Sequence, residues 1–297
     1  MNICRTKVQL KHAVKEAKQQ GKSIGFVPTM GYLHEGHGSL LRAAREDNDV
    51  VVLSIFVNPM QFGPNEDLDK YPRDEQRDLA LAADCKADIV FIPTVEEMYP
   101  TKPLTSIKVA DVTERLCGAS RPGHFDGVGL VVSKLFHLVE PNSAYFGLKD
   151  AQQVAVIEQM VHDLDMNVKI VPCPIVREPD GLALSSRNVY LSALHRSEAT
   201  VLSASLNELA EVLMFNGEMT AEQCINLIKD RITENTSGEI DYVELLQYPS
   251  LTPVSPKLSL QRALSGSRFI VALAVKFGST RLIDNALFQV EEVIERV

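Results

Sequence analysis

The chain has 297 residues, 45% of them hydrophobic, and a formal net charge of −9. That length can bury a large core and predicts two domains, while the acidic balance, with no run of Lys and Arg, argues against a nucleic-acid partner. The opening Met1-Asn2-Ile3-Cys4-Arg5-Thr6-Lys7 is too polar for a secretory signal, and no apolar run approaches the roughly 20 residues of a membrane helix. Cys4, Cys85, Cys117, Cys173 and Cys224 are scattered and odd in number, without metal-ligand spacing. They predict reduced thiols in a cytoplasmic protein with no membrane partner and no protein-bound metal.

In chain order, Val8, Leu10, Ala13, Val14 and Ala17 mark a helix over 8–20 that Gly21 ends. Residues 24–27 form a short buried strand, punctuated by Pro28 and Gly31. From Gly38 the apolar spacing becomes helical, with Leu40, Leu41 and Ala44. Val50 to Val57 is a continuous, largely β-branched run, the mark of a strand buried on both faces. A loop follows at Asn58-Pro59-Met60-Gln61-Phe62-Gly63, then a polar stretch over 63–78 that reads as a solvated loop or a lid, overlapping a helix over 73–83.

A third strand covers 87–93, which makes the order strand, helix, strand, helix, strand: a parallel sheet with helices on its faces. Arg121 to Gly127 reads as a glycine-rich loop, and 128–139 as a helix. Ala144 to Phe146 is a strand end; Gly147-Leu148-Lys149-Asp150-Ala151-Gln152-Gln153 opens a helix whose buried face is Val154, Ile157, Val161 and Leu164. A strand over 168–171 follows. Beyond the Asp180-Gly181 turn come two helices, carrying Leu202, Leu206, Leu209 and Leu213, then Ile225, Ile228 and Ile232. Strands over 240–246, 269–275 and 280–283 complete a small α+β domain with an antiparallel sheet. The predicted class is α/β: a Rossmann-like parallel sheet in residues 1–182 and the smaller domain in 183–297.

Ligands of open parallel sheets bind beyond the carboxyl ends of the strands. Four polar clusters fall at such ends or at helix starts: His34 with His37, Asn58 with Gln61, Lys149 with Asp150 and Gln153, and Ser185 with Ser186 and Arg187. A helix start favours anions, and lysine, arginine, hydroxyls and imidazoles are partners of phosphate. Taken alone, the histidine pair reads equally well as a metal site or as two solvated side chains.

Met30-Gly31-Tyr32-Leu33-His34-Glu35-Gly36-His37 resembles the His-x-Gly-His signature of the nucleotidyltransferase superfamily that includes class I aminoacyl-tRNA synthetases, and Ser185-Ser186-Arg187-Asn188 resembles its second signature. With Asn58 to Phe62, Arg121 to Phe125 and Tyr145 to Gln153, the whole chain resembles the pantoate–β-alanine ligase family. Tyr32 stands where smaller residues are commoner in that family.

The resemblance implies ATP-dependent condensation of pantoate with β-alanine through a pantoyl adenylate, with Mg²⁺ on the triphosphate, in a cytoplasmic homodimer whose C-terminal domain closes over the site. It implies that His37, His34 and Lys149 are catalytic. The nucleotide set is Met30, Gly31, Tyr32, Leu33, His34, Glu35, Gly36 and His37; Gly147, Leu148, Lys149 and Asp150; Val176; and Leu184, Ser185, Ser186 and Arg187. Gln61, Gln153 and Asn58 hold pantoate, with Gln61 also at the amine site. Arg121 and His124 approach from their loop. The competing readings are a transferase that keeps the nucleotidyl group on its product, an RNA-acting relative, and a nucleotide sensor with a decayed site.

Overall fold

The computed structural model describes residues 1–64, 66, 68–215, 219–257, 259–260 and 266–289. The elements run β1 (Asn2–Cys4), α1 (Lys7–Gln19), β2 (Ile24–Thr29), α2 (Glu35–Asp47), β3 (Val50–Ile55), α3 (Glu75–Asp84), β4 (Ile89–Phe91), α4 (Val95–Met98), α5 (Leu116–Ser120), α6 (His124–Val139), β5 (Ser143–Gly147), α7 (Ala151–Asp163) and β6 (Lys169–Cys173). They continue with α8 (Ala193–Glu198), α9 (Val201–Phe215), α10 (Ala221–Asn235), β7 (Glu239–Tyr248), β8 (Arg268–Phe277) and β9 (Thr280–Gln289). Short 3₁₀ turns lie at Pro59–Gln61, Leu148–Asp150 and Ser186–Tyr190.

Two compact units result. The first comprises 1–110, 118–148 and 156–176; the second comprises 111–117, 149–155 and 177–297. The second unit therefore draws in two short segments that a single boundary after residue 182 assigns to the first. Hydrogen bonds explain why those segments belong together: the Gln152 amide donates to the carbonyls of Val112 at 2.9 Å and Arg115 at 2.8 Å.

In the first unit six parallel strands stand in the order β1-β4-β3-β2-β5-β6. Alternation sends Val27, Val51, Leu53, Ile55, Val90, Tyr145 and Cys173 to one face, where they pack with Leu40, Leu41 and Ala44 of α2 and Ala82 of α3. Phe26 points the other way and meets Phe136 of α6 edge to face at 6.3 Å, and Phe146 meets the same ring at 6.5 Å. Both faces are covered, as the near-continuous apolar strands require. The chain moves from β2 outward through β3 and β4, then returns to place β5 on the other side of β2. The crevice beyond the carboxyl ends of β2 and β5 is thus the topological switch point, where open sheets of this kind bind ligands.

In the second unit β7, β8 and β9 form an antiparallel sheet. Leu202, Leu206 and Leu209 of α9 and Ile228 and Ile232 of α10 share a core with Val243, Leu245, Val271 and Leu273. Among the described residues no helix is long and apolar enough to cross a membrane, and all five cysteines are free and buried.

One strand lies where the sequence reading placed no element, and three local expectations change. The polar Asn2–Cys4 segment is a strand, because it pairs with β4 at the sheet edge. The helix expected from Gly38 begins at Glu35, because His34 caps it. The expected loop over Arg121 to Gly127 is helical from His124. Leu164 lies beyond the end of α7 and is 53% exposed, so it is not on the buried face.

Candidate active site

The turn after β2 is built by side chains bonding to backbone. The His34 Nδ1 accepts the Gly36 N–H at 3.2 Å, and the His37 Nδ1 accepts the His34 N–H at 3.2 Å. Those two bonds satisfy donors that a helix start leaves unpaired. They also set the chemistry of the rings: a backbone N–H only donates, so each Nδ1 is an acceptor and a neutral ring carries its proton on Nε2. The ring centroids lie 4.1 Å apart. The result is a pair of Nε2–H donors at the positive end of α2, suited to charge growing on a phosphate.

Upstream, Gly31 has φ +84, and a Cβ there would meet Ile55 Cγ2 at 2.9 Å, so only glycine fits. Tyr32 follows with φ 51. The Tyr32 N–H donates to Asp78 Oδ2 at 2.9 Å and the Leu33 N–H to Asp78 Oδ1 at 2.6 Å. Of the nucleotide set named from the sequence, the Leu33 side chain is 1% exposed in the core, so only its backbone can face a ligand. The exposed Glu35 carboxylate pairs with Arg42.

The turn after β3 is neutral at its centre. Asn58 is 1% and Gln61 7% exposed. The Asn58 Oδ1 accepts the Tyr99 hydroxyl at 3.0 Å and the Met60 N–H at 3.3 Å, while its Nδ2 donates to the Gly127 carbonyl at 3.1 Å and to Gln61 Oε1 at 3.1 Å. That commits the oxygen of the Gln61 amide, so Gln61 turns its Nε2 toward Met30, whose Sδ lies 3.1 Å away. Burial pushes the Tyr99 phenol up to about 12, which keeps it a donor at working pH. A Cβ at Gly127 would meet the Met60 carbonyl oxygen at 2.2 Å; the glycine lets α6 press against the turn. The Gln61 carbonyl accepts from His124 Nδ1 at 2.8 Å, and Arg121 forks onto Glu66 at 2.8 and 2.5 Å. Hydrogen bonding to Arg121 holds the Glu66 carboxyl below the usual range. The structure therefore brings Met30, Asn58 and Gln61 together, with Arg121 and His124 behind Gln61.

At the end of β5 the chain passes through half-buried Gly147 and then half-buried Leu148. In the second unit, Lys149 Nζ stands 3.9 Å from Asp150 Oδ2, and the Asn285 amide donates to the Lys149 carbonyl at 3.0 Å. Gln153 on α7 is half-buried, as are Leu184, Ser185, Ser186 and Arg187. The Ser185 hydroxyl accepts the Arg187 N–H at 3.2 Å, and the Asn188 amide donates to the Ala183 carbonyl at 3.1 Å. In the first unit, Val176 is half-buried at its last position.

Two residues of these turns are absent from the sequence reading. Tyr99 sits at the end of a four-residue helix that carried no signal. Asp78 left a faint one: an acid spaced four residues before Ala82, both on the buried side of α3.

The profile of the Pantoate-beta-alanine ligase family matches residues 2–287. The chain is 55% identical to a pantothenate synthetase of Acetivibrio thermocellus, over 98% of this chain and 100% of that one. It is 53% identical to a pantothenate synthetase of Bacillus thuringiensis, over 98% and 100%. A crystal structure of pantothenate synthetase from Thermus thermophilus is similar at a TM-score of 0.88 and 43% identity, covering 98% of this chain and 100% of that one. The ligase of Francisella tularensis, crystallised with "Beta-gamma ATP and Beta-alanine", is similar at a TM-score of 0.73 and 36% identity, covering 97% of each chain.

Proposed function

The chain belongs to the pantoate–β-alanine ligase family, and from that premise we propose how its residues divide the work of the reaction. The activity is ATP-dependent ligation of pantoate to β-alanine. In the first half-reaction a pantoate carboxylate oxygen attacks the α-phosphorus of ATP; the bond to the bridging oxygen breaks and pyrophosphate leaves. In the second, the β-alanine nitrogen attacks the acyl carbon of pantoyl adenylate, AMP leaves, and the nitrogen loses a proton. Displacement at phosphorus needs in-line positioning and charge stabilisation more than covalent help.

One observation carries this division: both histidine Nδ1 atoms accept backbone N–H groups, which leaves Nε2–H as the donor of each neutral ring. His34 and His37 donate to phosphate oxygens, with His37 the main donor as charge builds. Met30 to Gly36 line adenine and phosphate; because the Tyr32, Leu33, His34 and Gly36 N–H groups are bonded to Asp78 or within the turn, the donors to phosphate there are the imidazoles. Gly147, Leu148, Val176 and Leu184 line the nucleoside, Asp150 takes the ribose, and Lys149, Ser185, Ser186 and Arg187 take the phosphates. Asn58 and Gln61 serve pantoate, with Gln61 donating from Nε2; Gln153 takes a pantoate hydroxyl. Gln61 also lies where the amine arrives.

Mg²⁺ accompanies ATP in this reading. Among the described residues no three His, Cys, Asp or Glu side chains gather into a cation site. An ion of this kind would be held through substrate phosphates and its own water. When bound, it would offset charge on the triphosphate. The same reading has the chain working as a homodimer, and in the cytoplasm, a compartment in which five free, buried thiols stay reduced.

Exchange of labelled pyrophosphate into ATP tests the two-step order. It is expected to require pantoate and Mg²⁺ but not β-alanine. Exchange without any hydroxy acid, or exchange that needs the amine first, would refute the adenylate route.

A further inference from the structure

Asp78 is 2% exposed, a carboxylate inside the packed face of α3. A buried charge is costly unless its oxygens are bonded. Both are, and to consecutive backbone donors: the N–H groups of Tyr32 and Leu33, at 2.9 and 2.6 Å. Those residues precede His34 directly. They lie where the chain is hardest to hold, after Gly31 at φ +84 and with Tyr32 itself at φ 51, a region tyrosine rarely enters. Strained backbone of this kind persists only where its surroundings over-determine it. Here the surroundings are the Asp78 fork on the backbone and the Arg77 guanidinium over the Tyr32 ring, 4.7 Å from its centre.

We propose that Asp78 is a positioning residue for adenylate formation: its carboxylate fixes the left-handed Gly31–Tyr32 turn and thereby the reach of His34 and His37. Two oxygens are needed because two donors arrive side by side. Asparagine would offer one oxygen and turn its NH₂ toward the other N–H, setting donor against donor. Glutamate would push a longer stem against Gly31, whose own Cβ position already lies 3.0 Å from Asp78 Oδ2. Burial raises the Asp78 carboxyl above its usual range, and the bonds from Leu33 and Tyr32 oppose that rise.

The inference rests on the reading that the two histidines serve the nucleotide, and the experiment separates the two. Asp78→Ala and Asp78→Asn are compared with wild type and with His37→Ala in pyrophosphate exchange and in backbone hydrogen exchange. A misplacement of about 1 Å costs about 10²-fold in rate, so both Asp78 variants are expected to lose that much kcat with the KM for pantoate unchanged. In Asp78→Ala, added formate, a free carboxylate that fits the vacated space, should restore part of the rate, and chloride should not. The Tyr32 and Leu33 amides should be protected in wild type and exchange freely in Asp78→Ala. Wild-type rates in the folded variants would overturn the proposal. So would a rate loss that follows loss of folded protein and ignores formate. If His37→Ala leaves exchange intact, the catalytic reading of the histidines fails, and Asp78 is judged on the amides alone: protection lost in Asp78→Ala supports its hold on the turn, protection kept overturns it.

Discussion

The turns after β2 and β3 end neighbouring strands of one sheet, and they are held by different materials. The first hangs on a buried charge, with Asp78 accepting from two consecutive backbone N–H groups. The second hangs on a neutral network of Tyr99, Asn58, Gln61 and the Gly127 carbonyl, with its ion pair one layer out at Arg121 and Glu66. Charge-assisted bonds are roughly twice as strong as neutral ones, and they concentrate the hold in one side chain. A neutral network spreads it over several side chains, each making weaker bonds. The lesson is about what each turn presents. A pair of imidazoles meeting a transition state needs fixed geometry; an amide meeting a substrate oxygen needs its donor end pointed the right way.

The largest effect should come from the charged turn. His37→Ala is expected to lower pyrophosphate exchange by about 10²–10³, the usual loss of a donor that strengthens in the transition state, with little change in melting temperature. A near-normal rate would remove His37 from the site and leave the turn a structural feature.

The neutral turn should respond more gently, and in binding. Asn58→Ala frees the Gln61 amide to rotate, and an unmet buried hydrogen bond costs about 1–3 kcal/mol. The KM for pantoate is expected to rise about tenfold, with that for ATP unchanged. Tyr99→Phe removes one donor to Asn58 and should raise the same KM by only a few-fold. A change in ATP affinity instead, or no change in either variant, would break the distinction between the turns.

Acid should give the smallest effect and separate the turns by sign. The Glu66 carboxyl is depressed by its Arg121 partner, so its stabilisation is present above the unfolded value of about 4.3 and fades as pH falls through the lower folded value. Wild type should exceed Arg121→Ala by on the order of 1 kcal/mol near neutrality, and the gap should close in acid. Asp78 is raised by burial, so it protonates more readily folded than unfolded, and its contribution falls instead as pH rises through the folded value. Urea titrations of both proteins across the acid range measure the gap. A gap that persists below the folded value of Glu66 would mean that Arg121 acts through packing on the Gln61 turn, not through Glu66.

By itself the sequence determined the architecture and the motifs. Continuous β-branched runs spelled buried parallel strands, the change of spacing after His37 spelled a helix start, and the polar residues between them pointed to phosphate. Each signal lies within a few residues, so periodicity and turn chemistry carry it. The tertiary structure alone decided what holds those motifs still. Asp78 bonds to residues 45 and 46 positions earlier, Tyr99 reaches back 41 to Asn58, and Asn2–Cys4 becomes a strand only because β4 lies beside it. The reason is physical: a buried carboxylate or phenol takes its meaning from the groups that satisfy it, and those are set by folding across the chain rather than by neighbours along it.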